Sequence, residues 1–156
     1  MKIGEFLCKN AVTNDLQATS KADVINEMVT LLIDAGALDK KAKSKIIEAL
    51  MAREALGSTA IGQSIAIPHA KSDATDKLVS SLAVSKKGVH FDSLDGEPVH
   101  IFFLLVAPVD SAGPHLKALA RVSRLLKDKF FRDSLKNTKT TKDILELVAQ
   151  EDSRIG

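Results

Sequence analysis

Apolar residues in the first third of the chain recur with a helical period. Val24, Met28 and Leu31, flanked by Ile25, Val29 and Leu32, form one stripe at three- and four-residue spacing. Ser20 and Asp23 make a capping pattern ahead of it and Gly36 stops it, which predicts a helix over about 21–35. Asp39 caps a second helix whose stripe is Ile46, Leu50 and Arg53, with Ile47 and Met51 beside it, and Gly57 ends that helix. Then the period changes. Ile65-Ala66-Ile67 is short, β-branched and halted by Pro68, as a strand running into a loop would be. Leu78 to Ser85 alternates between two faces, and Val99 to Val106 is apolar on both, so the latter reads as a central strand covered on both sides. Asp95-Gly96 marks a turn in the β-excursion joining these two strands.

The last third returns to a helical period. Gly113-Pro114 opens a helix with Pro at its first position, and Leu116, Leu119, Ala120, Val122 and Leu126 make its stripe. A short piece with Phe130, Phe131 and Leu135 follows. Thr140 and Asp143 then begin a closing helix bearing Ile144, Leu147 and Val148. Two helices, several strands and three more helices predict an α/β fold, a mixed β-sheet flanked by helices, as a single domain over residues 1–156.

Composition narrows the function. A length of 156 residues fits one domain that hides most of its apolar surface without staples. The net charge of +2 supplies no strong basic field, and with no Trp or Tyr and six Phe there is little platform for base stacking, so nucleic acid is not an expected partner. The single cysteine, Cys8, forms neither an internal disulfide nor a zinc knuckle. Glu5 lies where a signal peptide would have its apolar core, and the run Ile101 to Val109 is far shorter than the roughly 20 residues of a membrane span. A cytoplasmic protein without membrane insertion is expected.

Gly57-Ser58-Thr59-Ala60-Ile61-Gly62-Gln63-Ser64 matches a phosphate-binding P-loop except that Gln63 replaces its lysine. The context is also reversed, because the stretch follows a helix and leads into a strand. Without the charge and the helix N-terminus, nucleotide binding has no physical basis. Neither metalloprotease spacing nor a Gly-x-Ser-x-Gly elbow occurs.

Three residues each carry two readings. His69 follows Pro68 beyond a buried strand, with small neighbours Ala66 and Ala70, and is either an ordinary loop histidine or a neutral imidazole nucleophile. His115, placed second in its helix by counting from Pro114, is either a polar helix-start residue or an imidazole kept neutral among free N–H groups. Arg53 either complements the macrodipole of its helix or offers a planar fork to a phosphoryl group. His90 and His100 read as exposed sheet-end residues.

The run from Arg53 to His69, R-E-A-L-G-S-T-A-I-G-Q-S-I-A-I-P-H, resembles the signature of enzyme IIA domains of the bacterial phosphoenolpyruvate-dependent phosphotransferase system, of the fructose/mannitol/nitrogen-regulatory type. Phe91-Asp92, Asp95-Gly96, Pro98-Val99, the strand around Leu104 and the segment from His115 to Leu126 extend the resemblance over essentially the whole chain. Ala70 and Ser64 depart from it, standing where Gly is common.

The resemblance implies that His69 is phosphorylated by a phosphorylated histidine-containing phosphocarrier protein, with Arg53 and His115 beside the phosphoryl site and no cofactor or metal. The phosphoryl group would pass to a cysteine of a IIB component or persist as a regulatory signal to target proteins. Ser58 or Thr59 would add a hydroxyl donor. The length and solitary character of the chain favour the nitrogen-regulatory type. A binding module whose partner choice depends on phosphorylation of His69 is the alternative, and a two-histidine metal hydrolase would need a carboxylate converging on His69 and His115.

Overall fold

A computed structural model describes residues 1–156. A 3-10 turn, Ile3–Glu5, leads into β1 (Leu7–Thr13), followed by α1 (Lys21–Asp34) and α2 (Lys43–Ala55). Two short strands, β2 (Ile65–Ala66) and β3 (His69–Lys71), precede the long strands β4 (Val79–Val89) and β5 (Val99–Ala107). Helices α3 (Ala112–Leu125), α4 (Lys129–Lys136) and α5 (Thr141–Arg154) close the chain. No helix is long and apolar enough to cross a membrane.

Two of the three expected caps sit at α-helix starts, and the third, Asp39, caps the 3-10 turn Lys40–Ala42 that leads into α2. Ser20 Oγ accepts Asp23 N–H at 3.2 Å, Asp39 accepts Lys41 N–H at 2.9 Å and Thr140 Oγ1 accepts Asp143 N–H at 3.1 Å. Each satisfies one orphan donor of a helical start.

The sheet is mixed, in the order β1-β4-β5-β2, with β3 pairing β5 just beyond β2. β4 and β5 run antiparallel, and every other pairing is parallel. β5 is central, and its side chains alternate between two cores. Phe102, Leu104 and Val106 join α1 and α2, while Ile101, Phe103 and Leu105 join α3, α4 and α5. Burial on both faces is why this strand is continuously apolar from Ile101 to Ala107.

The structure differs from the sequence reading at several places. β1 was not predicted; its burial is irregular and its register against β4 shifts between Leu7 and Val12. α3 begins at Ala112, so Pro114 is third and His115 fourth, and His115 N–H donates to Ser111 O at 2.9 Å instead of lying free. Its buried face is His115, Ala118, Val122 and Leu125, leaving Leu116 and Ala120 exposed. Of the expected stripe, Val122 and Leu126 are buried and Leu119 packs against the core, while Leu116 and Ala120 face out and His115 and Ala118 take the buried positions of the first turns. Likewise, His69 sits within β3 rather than in a loop. Pro68 interrupts the edge of the sheet, where its missing N–H breaks no ladder, and its carbonyl accepts Leu105 N–H at 2.9 Å.

Ser80 and Ser81 lie near the start of β4 on opposite faces, and neither buried hydroxyl has a partner. An unpaired buried hydroxyl costs stability, whereas a methyl there does not. Ser81→Ala should therefore stabilise the fold by about 1 kcal/mol. Urea denaturation checks this, and an unchanged or lower midpoint would contradict it.

Candidate active site

The site forms where the end of α2, the edge strand β3 and the start of α3 meet. α2 closes with Leu56 N–H and Gly57 N–H on the carbonyls of Arg53 and Glu54. Arg53 Nη1 donates to Gly57 O at 2.7 Å, so the guanidinium ties down the turn that follows the helix and lines the cleft beyond it.

Glu54 is the buried member of this turn, 5% exposed. Its carboxylate accepts Thr59 N–H at 3.2 Å and the Thr59 hydroxyl, and lies 3.2 Å from Lys21 Nζ. The same lysine reaches Asp92 at 3.1 Å and stands 4.9 Å from the centre of the Phe91 ring. Burying a carboxylate is tolerable when an ion pair and hydrogen bonds satisfy it, and here they bind the loop after α2 to α1 and to the β4–β5 excursion. Ser58 Oγ donates to Phe91 O at 2.7 Å, Leu94 N–H reaches Ala60 O at 3.0 Å, and Asp95 accepts Gln63 N–H at 3.2 Å. Gly62, at φ +121°, would bring a Cβ to 3.2 Å from Asp95 Oδ2, so this approach favours glycine.

These bonds correct the reading of Ser58 and Thr59. Both hydroxyl protons are committed to the loop, on Phe91 O and Glu54, and neither residue lines the cleft. They shape the loop and are not donors to a phosphoryl group in this arrangement. The loop also leads into β2 and opens no helix, which removes the structural basis of a P-loop.

His69 Nδ1 lies 2.7 Å from Ile67 O. A carbonyl only accepts, so Nδ1 carries the proton and the lone pair is on Nε2. The His115 ring stands 5.5 Å away, centre to centre, at an interplanar angle of 68°. Both imidazoles are held below their ordinary pKa, His69 chiefly by burial against the opposing pull of the Ile67 carbonyl, and His115 by burial and then by His69 itself. At neutral pH both rings are uncharged. His115 is 7% exposed, and its Nε2 has no hydrogen-bond partner.

The two rings and Arg53 line a cleft of about 660 Å³ with otherwise mostly apolar walls, and Leu56 and Leu116 stand exposed at its rim. The arrangement offers an imidazole lone pair, a second buried imidazole and a guanidinium fork in one place. Nucleophilic attack on an anionic centre, with its charge neutralised by the fork, is chemistry such a set can perform. No group of three or more His, Cys, Asp or Glu side chains is placed to hold a metal ion, and no carboxylate joins the pair as a hydrolase would require. His90 is exposed as expected. His100 is not: it is half-buried, with Nδ1 2.7 Å from Ser64 Oγ.

The sequence reading missed Glu54 and Lys21. Glu54 stands inside the quoted run, where an acid between Arg53 and a loop threonine was the available signal. Lys21 had none, because its role depends on where α1 lies.

Fold and site together define an α/β domain with a paired-imidazole cleft at a sheet edge. The chain belongs to the family described as "Phosphoenolpyruvate-dependent sugar phosphotransferase system, EIIA 2", whose pattern matches residues 5–151. It is 38% identical over 152 residues to the fructose-specific EIIABC component of Bacillus subtilis, covering 97% of this chain and 24% of that relative. It therefore spans about a quarter of that protein's length. The crystal structure of nitrogen regulatory protein IIA-Ntr from Neisseria meningitidis superposes with a TM-score of 0.84 at 30% identity, covering 94% of this chain and 98% of that one. Mannitol enzyme IIA from Escherichia coli, solved in complex with phosphorylated mannitol enzyme IIB, shares the fold at a TM-score of 0.74 and 22% identity, with 91% and 95% of the two chains covered.

Proposed function

We propose that this chain is a cytoplasmic phosphocarrier in which His69 Nε2 accepts a phosphoryl group from a phosphorylated histidine-containing phosphocarrier protein. The observation that carries this reading is the Nδ1–H bond to Ile67 O, which leaves the lone pair on Nε2 beside His115 and Arg53. In the transfer the donor's P–N bond breaks as the bond from phosphorus to His69 Nε2 forms. The equatorial oxygens then need neutralisation, and the guanidinium donors of Arg53 not bound to Gly57 O are available for it. His115, in its Nε2–H tautomer, donates to one oxygen. Onward transfer goes to a cysteine of a IIB component, or the phosphoryl group is kept as a signal. The TM-score of 0.84 to IIA-Ntr supports the nitrogen-regulatory type and the 38% identity to the fructose-specific EIIABC component supports the sugar-transporting type, so the acceptor of the phosphoryl group on His69 decides between them.

The test is incubation with phosphoenolpyruvate, enzyme I and carrier protein, followed by mapping of the acid-labile phosphate. Label on His69 supports the reading, and label elsewhere or none overturns it. His115→Ala should still accept the phosphoryl group but pass it on about 100-fold more slowly, the lower end of the usual scale for losing one donor to transition-state charge. Single-turnover transfer from the isolated phosphoprotein measures this, and wild-type kinetics would remove His115 from the step.

A second reading follows from Leu56 and Leu116, 86% and 68% exposed beside the cleft. A dianion arriving between two exposed leucines changes the surface that partners meet, so the domain would act as a phosphorylation-dependent binding module. Discharge of phospho-His69 onto a IIB cysteine favours the carrier. Phosphorylation-dependent binding without discharge favours the module.

A further inference from the structure

Lys71 enters none of the roles assigned so far. It lies two residues after His69 on β3, and residues two apart on a strand project to the same face. Ala70, between them, joins the core on the opposite face. Lys71 thus leaves the sheet on the side of His69 and α3, and it lines the same cleft as Arg53, His69 and His115. Its charge also reaches the site, since it is the third cause, after burial and His69, that holds the His115 imidazole low.

The ammonium is also free. It makes no ion pair, while Asp73 beyond it is bound to Lys45 at 2.6 Å. Lys71 also borders the adjoining groove, where Glu48 and Asp73 lie, but neither acid lines this cleft or pairs with the ammonium. On the other side, Glu54 has its carboxylate committed to Thr59 and Lys21. No carboxylate lines the cleft itself. A cavity with two cations, two neutral imidazoles and no acid is a site for a tetrahedral oxyanion.

We propose that Lys71 is the second cation of an oxyanion site completed by Arg53, His69 and His115, and that it holds the phosphoryl oxygens from the strand side of the cleft while Arg53 holds them from the helix side. This rests on the reading of His69 as phosphoacceptor. A phosphoryl group passing between imidazoles spreads its charge over three oxygens. One fork already bonded to Gly57 O leaves part of that charge unmet. A flexible ammonium suits the remainder, because it follows the oxygens as the group moves between partners.

The test uses the full chain and inorganic phosphate as probe, with the ring resonances of His69 and His115 as readout. Wild-type protein should show saturable shifts of both rings at millimolar phosphate. Lys71→Gln should weaken phosphate binding roughly tenfold, while Lys71→Arg should stay within about threefold of wild type. In Lys71→Gln the His115 titration midpoint should also rise, which a purely structural lysine would not cause. Lys71 is exposed, so all three proteins should melt alike. Equal phosphate affinity in wild type and Lys71→Gln, or no shift in wild type, overturns the proposal. Labelling by carrier protein is scored separately: a wild type that binds phosphate through Lys71 but takes no label on His69 sinks the phosphocarrier reading and leaves the oxyanion site standing.

Discussion

Replacing His69 by alanine should abolish phosphoryl acceptance, lowering its rate by at least about 10³-fold, the scale on which enzymes lose rate when their nucleophile is deleted. His115 also lines the cleft, but it is 7% exposed where His69 is half-buried, so an incoming phosphoryl donor meets the His69 ring first. The variant should fold normally. The one hydrogen bond of the His69 ring goes to Ile67 in the adjoining residues, so its loss should change stability by no more than about 1 kcal/mol. Labelling with purified donor and a thermal melt of the same sample separate the two effects, and a labelled variant ends the assignment.

The pH dependence has a fixed sign. Burial holds the His69 imidazole below its ordinary value of 6.5, so the neutral, nucleophilic form persists into more acid solution than for an exposed histidine. Its ring resonances should titrate with a midpoint below 6.5. A midpoint above that value would mean that the cleft stabilises imidazolium, contrary to its burial.

Asp152→Ala should damage the fold severely. Asp152 and Arg121 are 7% and 9% exposed. The carboxylate accepts Arg121 Nε–H at 2.8 Å and Ile3 N–H at 2.8 Å, while the Asp152 carbonyl accepts from Arg121 Nη2 at 2.7 Å and from Lys2 Nζ at 3.1 Å. One residue near the end of α5 thereby fastens α3 and the N-terminal turn. Removing its carboxylate leaves a buried guanidinium and a buried N–H without their acceptor. Breaking one side of a buried pair in this way costs about 3–5 kcal/mol, a large share of the usual 5–15 kcal/mol of a domain. Urea denaturation of wild type and variant measures it, and a loss under about 1 kcal/mol would show that solvent or a rearranged partner replaces the carboxylate.

Much of the fold was legible because its signals are local. α1, α2 and α5 announce themselves by period; Ser20 and Thr140 cap α1 and α5 as their positions predict, while Asp39 caps the 3-10 turn ahead of α2. β5 was legible because a strand covered on both faces must be apolar at every turn of the pleat. β1 was not. It is an edge strand with an irregular register, and what makes it a strand is β4 alongside it, which no local pattern records. The face of α3 was legible in its second half, where Val122 and Leu126 are core, but not at its start, where the helix leaves Leu116 at a cleft and buries His115.

For the site, residue types and spacing in the sequence determined the candidates His69, His115 and Arg53, and the resemblance determined how to read them together. Only the tertiary structure decided that the two imidazoles face each other at 5.5 Å, that Ser58 and Thr59 spend their hydroxyls on the loop, and that Glu54 and Lys21 hold that loop in place. A side chain's chemistry is written in the residue itself, but its partners are chosen by pairing β3 with β5 and packing α2 and α3 on opposite faces of that edge. Those are long-range contacts, and they leave no trace in the spacing of neighbours along the chain.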